Sequence, residues 1–211
     1  NKGDYEQAEA FYTRCLEAQE RLLGPEHHST NGTRFSLANL LSNQERHEES
    51  IPLRRLELDV ATKRYGRGAA GTLTSINGLA IDLREAGELE EAETLFRELL
   101  AGREQVLEPD DFQIGRALGG LAKTLEAAGK LDEALNYRQR ALEHRLAHEG
   151  PDAWCTNRGR LDLARVLQKL DRQTEAHALV RELQTSMGQL EEPDEDDRLL
   201  ISEAAELMRG D

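Results

Sequence analysis

The chain has 211 residues, of which 38% are apolar, 32% charged and only 4% aromatic, and its formal net charge is −14. This composition favours long solvated helices, and the acidic charge excludes attraction of the whole surface to nucleic acid or anionic lipid. There is no apolar run of membrane-spanning length and no export signal at the N-terminus, and Cys15 and Cys155 are too few for a disulfide framework. We therefore expect a cytoplasmic protein with reduced thiols.

One six-residue pattern recurs along the chain at a constant spacing. It begins as Gly-Asp-Tyr-Glu-Gln-Ala at residue 3, and related hexapeptides begin at residues 45, 87, 129 and 171, which are 42 residues apart each time. Equal spacings of this kind indicate internal structural repeats. The sequence thus predicts five copies of one unit, with turns near residues 3, 45, 87, 129 and 171.

Each unit predicts two helices in chain order, helix A before the turn and helix B after it. Helix A carries an apolar stripe with i, i+4 spacing, formed by Leu37 and Leu41 and their equivalents Leu79 and Leu83, Leu121 and Leu125, Leu163 and Leu167. Helix B carries small residues at one column, namely Ala8, Ser50, Ala92, Ala134 and Ala176. Because helices cross most closely where side chains are small, this column predicts the contact between A and B. A last helix is expected from about residue 194 to 208.

These units resemble tetratricopeptide repeats, in particular the 42-residue type of kinesin light chains. The resemblance rests on the residues from helix B through the following loop, which read Gly3-Asp4-Tyr5-Glu6-Gln7-Ala8-Glu9 with Leu22-Leu23-Gly24-Pro25-Glu26-His27, and Gly129-Lys130-Leu131-Asp132-Glu133-Ala134 with Glu149-Gly150-Pro151-Asp152. It implies an all-α, right-handed superhelical solenoid of antiparallel helix pairs. The array would occupy residues 1–193, and residues 194–211 would form a capping helix or the start of a truncated repeat.

The resemblance also implies that the A helices line a concave groove that holds a peptide. The candidate peptide-binding residues are Asn39, Asn77, Arg84, Arg116, Lys123, Arg158, Arg165 and Lys169. Gly78, Gly119 and Gly120 occupy groove positions within helix A, although each interior glycine costs about 1 kcal/mol relative to alanine. We interpret them as a groove floor that lets a ligand approach, and tight packing between neighbouring A helices is the alternative.

Charge indicates what this groove would bind. The A-helix windows 32–43, 74–85, 116–127 and 158–169 contain eight basic and four acidic residues, whereas the rest of the chain is strongly acidic. A cleft lined by one sign of charge concentrates ligands of the other sign, so an acidic partner is expected unless these charges pair with helix B glutamates. The Lys and Asn arrangement by which related repeats grip a terminal carboxylate is not reproduced.

Signals for catalysis, cofactors or metals are weak. Gly66-Arg67-Gly68-Ala69-Ala70-Gly71 has the spacing of a dinucleotide fingerprint, but the repeat places it in a loop without a preceding strand. His27 and His28 lack nearby ligands, and His144 and His148 lack a third one. We therefore predict no catalytic residue, cofactor or metal, and we expect Trp154 to fill a gap between repeats.

The sequence thus predicts a non-catalytic protein–protein interaction scaffold that binds an acidic or amphipathic peptide, without nucleic-acid or membrane partners. Two alternatives remain open. The array could be a structural spacer that self-associates through its end repeats into a homo-oligomer, or it could be the regulatory arm of a larger enzyme.

Overall fold

The computed structural model describes residues 2–190 and 192–209, so residues 1 and 191 of the predicted segment 1–193 and residues 210 and 211 of the predicted segment 194–211 lie outside the described residues. Every regular element in these ranges is a helix, which confirms the predicted all-α tetratricopeptide fold. The helices are α1 (Lys2–Leu23), α2 (His28–Ser42), α3 (His47–Tyr65), α4 (Ala70–Glu85), α5 (Leu89–Val106), α6 (Phe112–Ala127), α7 (Leu131–His148), α8 (Trp154–Lys169), α9 (Gln173–Met187) and α10 (Glu195–Arg209).

The helices form two compact units that divide between Val106 and Leu107. In the first unit, α2 packs against α1 and α3, and α4 packs against α3 and α5. In the second unit, α6 packs against α7, α8 packs against α7 and α9, and α10 packs against both α8 and α9. α2, α4, α6 and α8 are the predicted A helices, the odd-numbered helices are the B helices, and α10 is the last helix expected after the array.

Four turns between A and B helices share one geometry. Glu45, Gly87, Gly129 and Asp171 have φ values of 60°, 85°, 73° and 58°. The amide that follows each of them donates to the carbonyl of the last stripe leucine of helix A, and these four hydrogen bonds measure 2.8–3.0 Å. This motif ends a helix with one residue in the left-handed backbone conformation, which glycine adopts most easily. A turn this short leaves the two helices antiparallel. By contrast, α1 begins at Lys2, so residue 3 lies inside this helix and the turn predicted near it is not observed.

The core follows the predicted columns. Ala80, Ala122 and Ala164 on the A helices are fully buried, as are Ala92 and Ala134 on the B helices. These methyl groups lie where two helix backbones approach closely, so a larger side chain would force the helices apart. None of the helices in the described ranges combines the length and the apolar character that a membrane span requires.

Candidate functional site

The second unit gathers basic side chains from three helices. Arg138 on α7 and five candidates from the A helices make up a set that we call the basic face: Arg116, Lys123, Arg138, Arg158, Arg165 and Lys169. Three carboxylates, those of Glu126, Asp162 and Glu203, contact this set. Lys123 also has an interaction within the protein, so all of these cations except Arg116 have internal contacts with described residues, in a chain whose net charge is −14.

Arg138 links the two A helices of this unit. Its Nε donates to Glu126 Oε1 on α6 at 2.7 Å, and its Nη1 donates to Asp162 Oδ2 on α8 at 3.0 Å. The three side chains are only 12–18% exposed, so solvent screens these charge-assisted hydrogen bonds little. Lys169 approaches Glu126 at 3.8 Å and remains largely exposed. The bridge therefore links α6 to α8 and pairs the single charge of Arg138 with two carboxylates.

Arg158 and Arg165 share two acidic partners. Glu203 on α10 lies 2.7 Å from Arg158 Nη1 and 3.2 Å from Arg165 Nη2. Asp162, which lies between the two arginines in sequence, is 3.5 Å from Arg158 and 3.9 Å from Arg165. Both arginines stay about one-third exposed. The last helix thus supplies an acidic contact to the face of α8.

Arg116 and Lys123 lie two helical turns apart on α6, so they project from the same side of it. Both side chains are exposed, and Arg116 has no hydrogen bond or ion pair with any described residue. Gly119 and Gly120 lie between them. A Cβ at Gly119 would find only Arg145 Nη2, at 4.0 Å. Packing inside this unit therefore does not require a glycine at position 119.

In the first unit Arg54, which lies two repeats before Arg138, belongs to a buried charge pair. Asp82 on α4 is fully buried and contacts Arg54 on α3. It also accepts hydrogen bonds from Ser42 at 2.8 Å and Ser50 at 2.7 Å, and its other oxygen contacts His47 Nδ1 at 2.8 Å. Burial alone would raise the pKa of Asp82. The hydrogen bonds from Ser50 and His47 and the charge of Arg54 outweigh burial, so its pKa lies below the usual 3.8.

This cluster accounts for two candidates. Asn39 Oδ1 accepts a hydrogen bond from Arg54 Nη2 at 3.0 Å, so its amide already holds an internal partner. A Cβ at Gly78 would lie 2.8 Å from Arg54 Cζ and closer still to Nη1. Gly78 is therefore small because the guanidinium of Arg54 fills the adjacent space. Asn77 is half-buried beside it.

Three further arginines of the A helices point away from solvent. Arg84 is only 10% exposed, pairs with Glu85 at 2.7 Å and stacks on the ring of Phe96. Arg34 and Arg160 are 2% and 6% exposed. Each of these two donates to the loop before its own helix, at Pro25 O and Pro151 O respectively, and each also contacts a neighbouring asparagine. The positive charge counted from the A-helix windows thus overstates what a ligand would meet.

The sequence analysis missed one residue of the basic face, Arg138, and one of its acidic contacts, Glu203. Arg138 lies on a B helix, and Glu203 lies beyond the regular repeats, so neither fell in the windows considered. The period could have found Arg138, because it stands two repeats after the buried Arg54. Trp154 is 42% exposed, so the prediction that it fills a gap between repeats was wrong.

No group of three potential metal ligands occurs within the described ranges. The rings of His144 and His148 lie 4.7 Å apart, and Nδ1 of His27 caps α2 by accepting from the amide of Ser29 at 3.2 Å. Chemically, the basic face can hold carboxylates through charge and hydrogen bonds, since guanidinium groups match carboxylates in geometry.

The chain was compared with protein families and solved structures. Tetratricopeptide repeat family models match residues 29–105 and 77–147, which together span more than half of the chain, and further tetratricopeptide models match residues 1–29 and 157–182. No curated protein sequence matches significantly.

Several solved structures share the fold. A Podosopora anserina protein described as a kinesin light chain with nearly identical TPR-like repeats matches with a TM-score of 0.81 and 18% identity, covering 91% of each chain. BtubC (BKLC) from P. vanneervenii matches with a TM-score of 0.76 and 20% identity, over 92% of this chain and 78% of that one. MamA from Desulfovibrio magneticus RS-1 matches with a TM-score of 0.62 and 12% identity, over 88% and 98%. The chain therefore belongs to the tetratricopeptide repeat family.

Proposed function

We propose that this chain is a non-catalytic, cytoplasmic interaction module that binds an acidic or amphipathic segment of a partner protein along the basic face. Tetratricopeptide repeats are in general protein–protein interaction modules, which supports the broad assignment. The observation that carries the finer assignment is the exposed Arg116, which has no hydrogen bond or ion pair with any described residue, together with the partial exposure of Arg158, Arg165 and Lys169. Both cysteines are free thiols, in keeping with a reducing compartment.

The proposed contact works mainly through charge complementarity. Cationic side chains remain exposed on this face although the chain is acidic, so the face would attract acidic segments and disfavour basic ones. Exposed pairs contribute little to affinity individually, about 0–1 kcal/mol each, but the summed field speeds association and selects the partner. The apolar side of an amphipathic segment would lie over Gly119 and Gly120, and an added Cβ at Gly119 would meet only Arg145 Nη2, at 4.0 Å.

The test uses fluorescence anisotropy on the full chain with three labelled peptides of equal length that are acidic, neutral and basic. The variant Arg116→Glu reverses the unpartnered charge. Arg181→Glu, an exposed arginine on the B helix α9, is the matched control because it changes the net charge equally. We expect Arg116→Glu to slow association of the acidic peptide about 3- to 10-fold at low salt and Arg181→Glu to have little effect.

The same experiment at several salt concentrations tests whether the effect of Arg116→Glu is electrostatic. The difference between the two variants should shrink as the Debye length falls from about 10 Å at 0.1 M salt to about 3 Å at 1 M. Preferential binding of the basic peptide, or equal effects of the two reversals, would mean that the basic face is only a set of structural ion pairs.

One observation favours a second candidate, a spacer that self-associates through the first helix. On α1, Phe11 is 63% exposed and Tyr5 is 40% exposed, and the two lie on one helix with little to cover them. Aromatic side chains in such positions favour contacts with another protein surface. Sedimentation velocity of wild type and Phe11→Ser at several concentrations separates the two: concentration-dependent association that the substitution removes supports the spacer.

A further inference from the structure

A small cleft in the first unit lies between α2, α3 and α4. Its volume is about 220 Å³, and its apolar wall is formed by Val60 and Ala61 with the rings of Phe35 and Tyr65. Gly71 on α4 also lines it, and a Cβ added there would meet nothing within 4 Å. The cleft is thus open at a glycine and large enough for one extended side chain.

The cleft holds one carboxylate, that of Glu57 on α3. Glu57 is only 5% exposed. Its Oε1 accepts a hydrogen bond from Ser75 Oγ at 2.8 Å, while Oε2 is buried without any hydrogen-bond partner. Burial raises the pKa of this carboxyl, and the hydrogen bond from Ser75 opposes that rise without cancelling it. A buried oxygen without a partner costs free energy, so the site is incomplete as it stands.

Comparison with the other repeats shows that packing does not require an acid at this position. The residues one or more periods away are Cys15, Leu99, Ala141 and Leu183, none of which carries a charge. Leu99 and Leu183 are fully buried and Ala141 nearly so. Among these equivalent positions only residue 57 carries a carboxylate, and it lines a cleft, which points to a ligand.

The nearest buried cations are already engaged. Arg34 donates to Asn31, Glu20 and Pro25 O, and Arg54 pairs with Asp82. Two other nitrogen-bearing side chains, those of His28 and Arg64, line the cleft, and both are solvent-exposed. None of these four groups bonds to Oε2 of Glu57. Oε2 is buried beside the cleft, so a donor that enters the cleft reaches this unused acceptor only if a side chain of the wall shifts.

We propose that this cleft binds a lysine side chain of a partner protein, with the aliphatic stem against Val60 and the aromatic rings and the ammonium donating to Oε2 of Glu57. A cation repays the burial of a carboxylate, which an apolar side chain would not. Lysine fits better than arginine because Ser75 already uses one carboxylate oxygen, leaving a single acceptor for a point charge, whereas a guanidinium favours a bidentate partner. The inference concerns the first unit alone and does not depend on the basic face.

The test follows the backbone amides of Gly32 and Gly71, which both line the cleft, by ¹H–¹⁵N NMR of the full chain. The probe is N-acetyl-lysine N′-methylamide, and the matched probe is its norleucine analogue, which has a similar stem and no charge. We expect the lysine probe to shift both amides and to bind about tenfold more tightly than the norleucine probe, since hydrogen bonds between charged groups are the stronger ones.

Two substitutions separate the contributions. Glu57→Gln keeps the shape and removes the charge, so it should abolish the preference for lysine. Gly71→Leu should fill the cleft and weaken both probes, whereas Gly68→Leu in the preceding loop, where a Cβ also meets open space, is the control. Circular dichroism confirms that each variant is folded.

Three results would overturn the proposal. Equal binding of the two probes would show an apolar cleft without charge recognition. An unchanged lysine preference in Glu57→Gln would place the charge recognition elsewhere. The absence of amide shifts with the lysine probe at concentrations approaching its solubility would show that the cleft takes no such side chain.

Discussion

Replacing Gly78 by alanine should destabilise the protein, although helix propensity predicts the opposite. Gly78 lies inside α4, where alanine is favoured by about 1 kcal/mol. Its Cβ, however, would lie 2.8 Å from Arg54 Cζ. Arg54 is 5% exposed and is held by Asp82, Asn39 and Ser42, so the guanidinium cannot swing into solvent without leaving these partners.

The size of the stability loss follows from the hydrogen bonds that a displaced Arg54 guanidinium would lose. A hydrogen bond to a charged group contributes about 1.5–3 kcal/mol, and displacing Arg54 weakens its contact with a fully buried carboxylate. Against the gain of about 1 kcal/mol from propensity, we expect a net loss of about 2 kcal/mol. Gly119→Ala is the matched control, because the nearest atom there is 4.0 Å away, and it should stabilise by up to about 1 kcal/mol.

Urea unfolding of the two variants, followed by circular dichroism, measures the expected loss of stability in Gly78→Ala and the expected gain in Gly119→Ala. With a slope of about 2 kcal/mol/M, Gly78→Ala should lower the midpoint by about 1 M and Gly119→Ala should raise it slightly. If Gly78→Ala is as stable as wild type or more stable, the guanidinium is not fixed in that space, and our reading of the Arg54 cluster is wrong.

Three other substitutions test separate features. Ala92→Leu should cost about 1–3 kcal/mol by overpacking the A–B crossing, and Glu90→Leu on the exposed side should be nearly silent; equal denaturation midpoints would contradict the column assignment. Asp82→Asn should cost about 3–5 kcal/mol because it leaves Arg54 buried without its counter-charge, and unchanged thermal stability would refute this. The raised pKa of Glu57 means that the unfolded chain loses this proton first, so wild-type stability should fall relative to Glu57→Gln as pH rises above 4.5, and a constant difference across pH would contradict the buried carboxylate.

The repeat period predicted the helices and turns because those features repeat. The left-handed turn residues recur at 45, 87, 129 and 171, and the period identifies Glu45 and Asp171 as turn residues even though neither is glycine. The buried methyl columns recur in the same way. Features of this kind depend only on contacts within a repeat and with its neighbour, which the period makes visible.

The candidate site was less predictable because charge partners do not recur. Arg158 and Arg165 each pair with Glu203, whose helix follows the last regular turn. Arg84 looks like a groove residue by position, yet Phe96 and Glu85 hold it against the protein. A long side chain can reach several neighbours, and its choice depends on residues that the repeat pattern leaves variable.

The polar cluster around Asp82 ties together more than one hairpin. Repeat proteins can open from their ends one unit at a time, since each unit contacts only its neighbours. Asp82 on α4 accepts hydrogen bonds from Ser42 on α2 and Ser50 on α3. If α4 detached from the preceding hairpin, Asp82 would lose both hydrogen bonds and its contact with Arg54. Amide hydrogen exchange should accordingly find that α2, α3 and α4 open together as one cooperative unit. Fraying of α1 should leave the protection of these three helices unchanged.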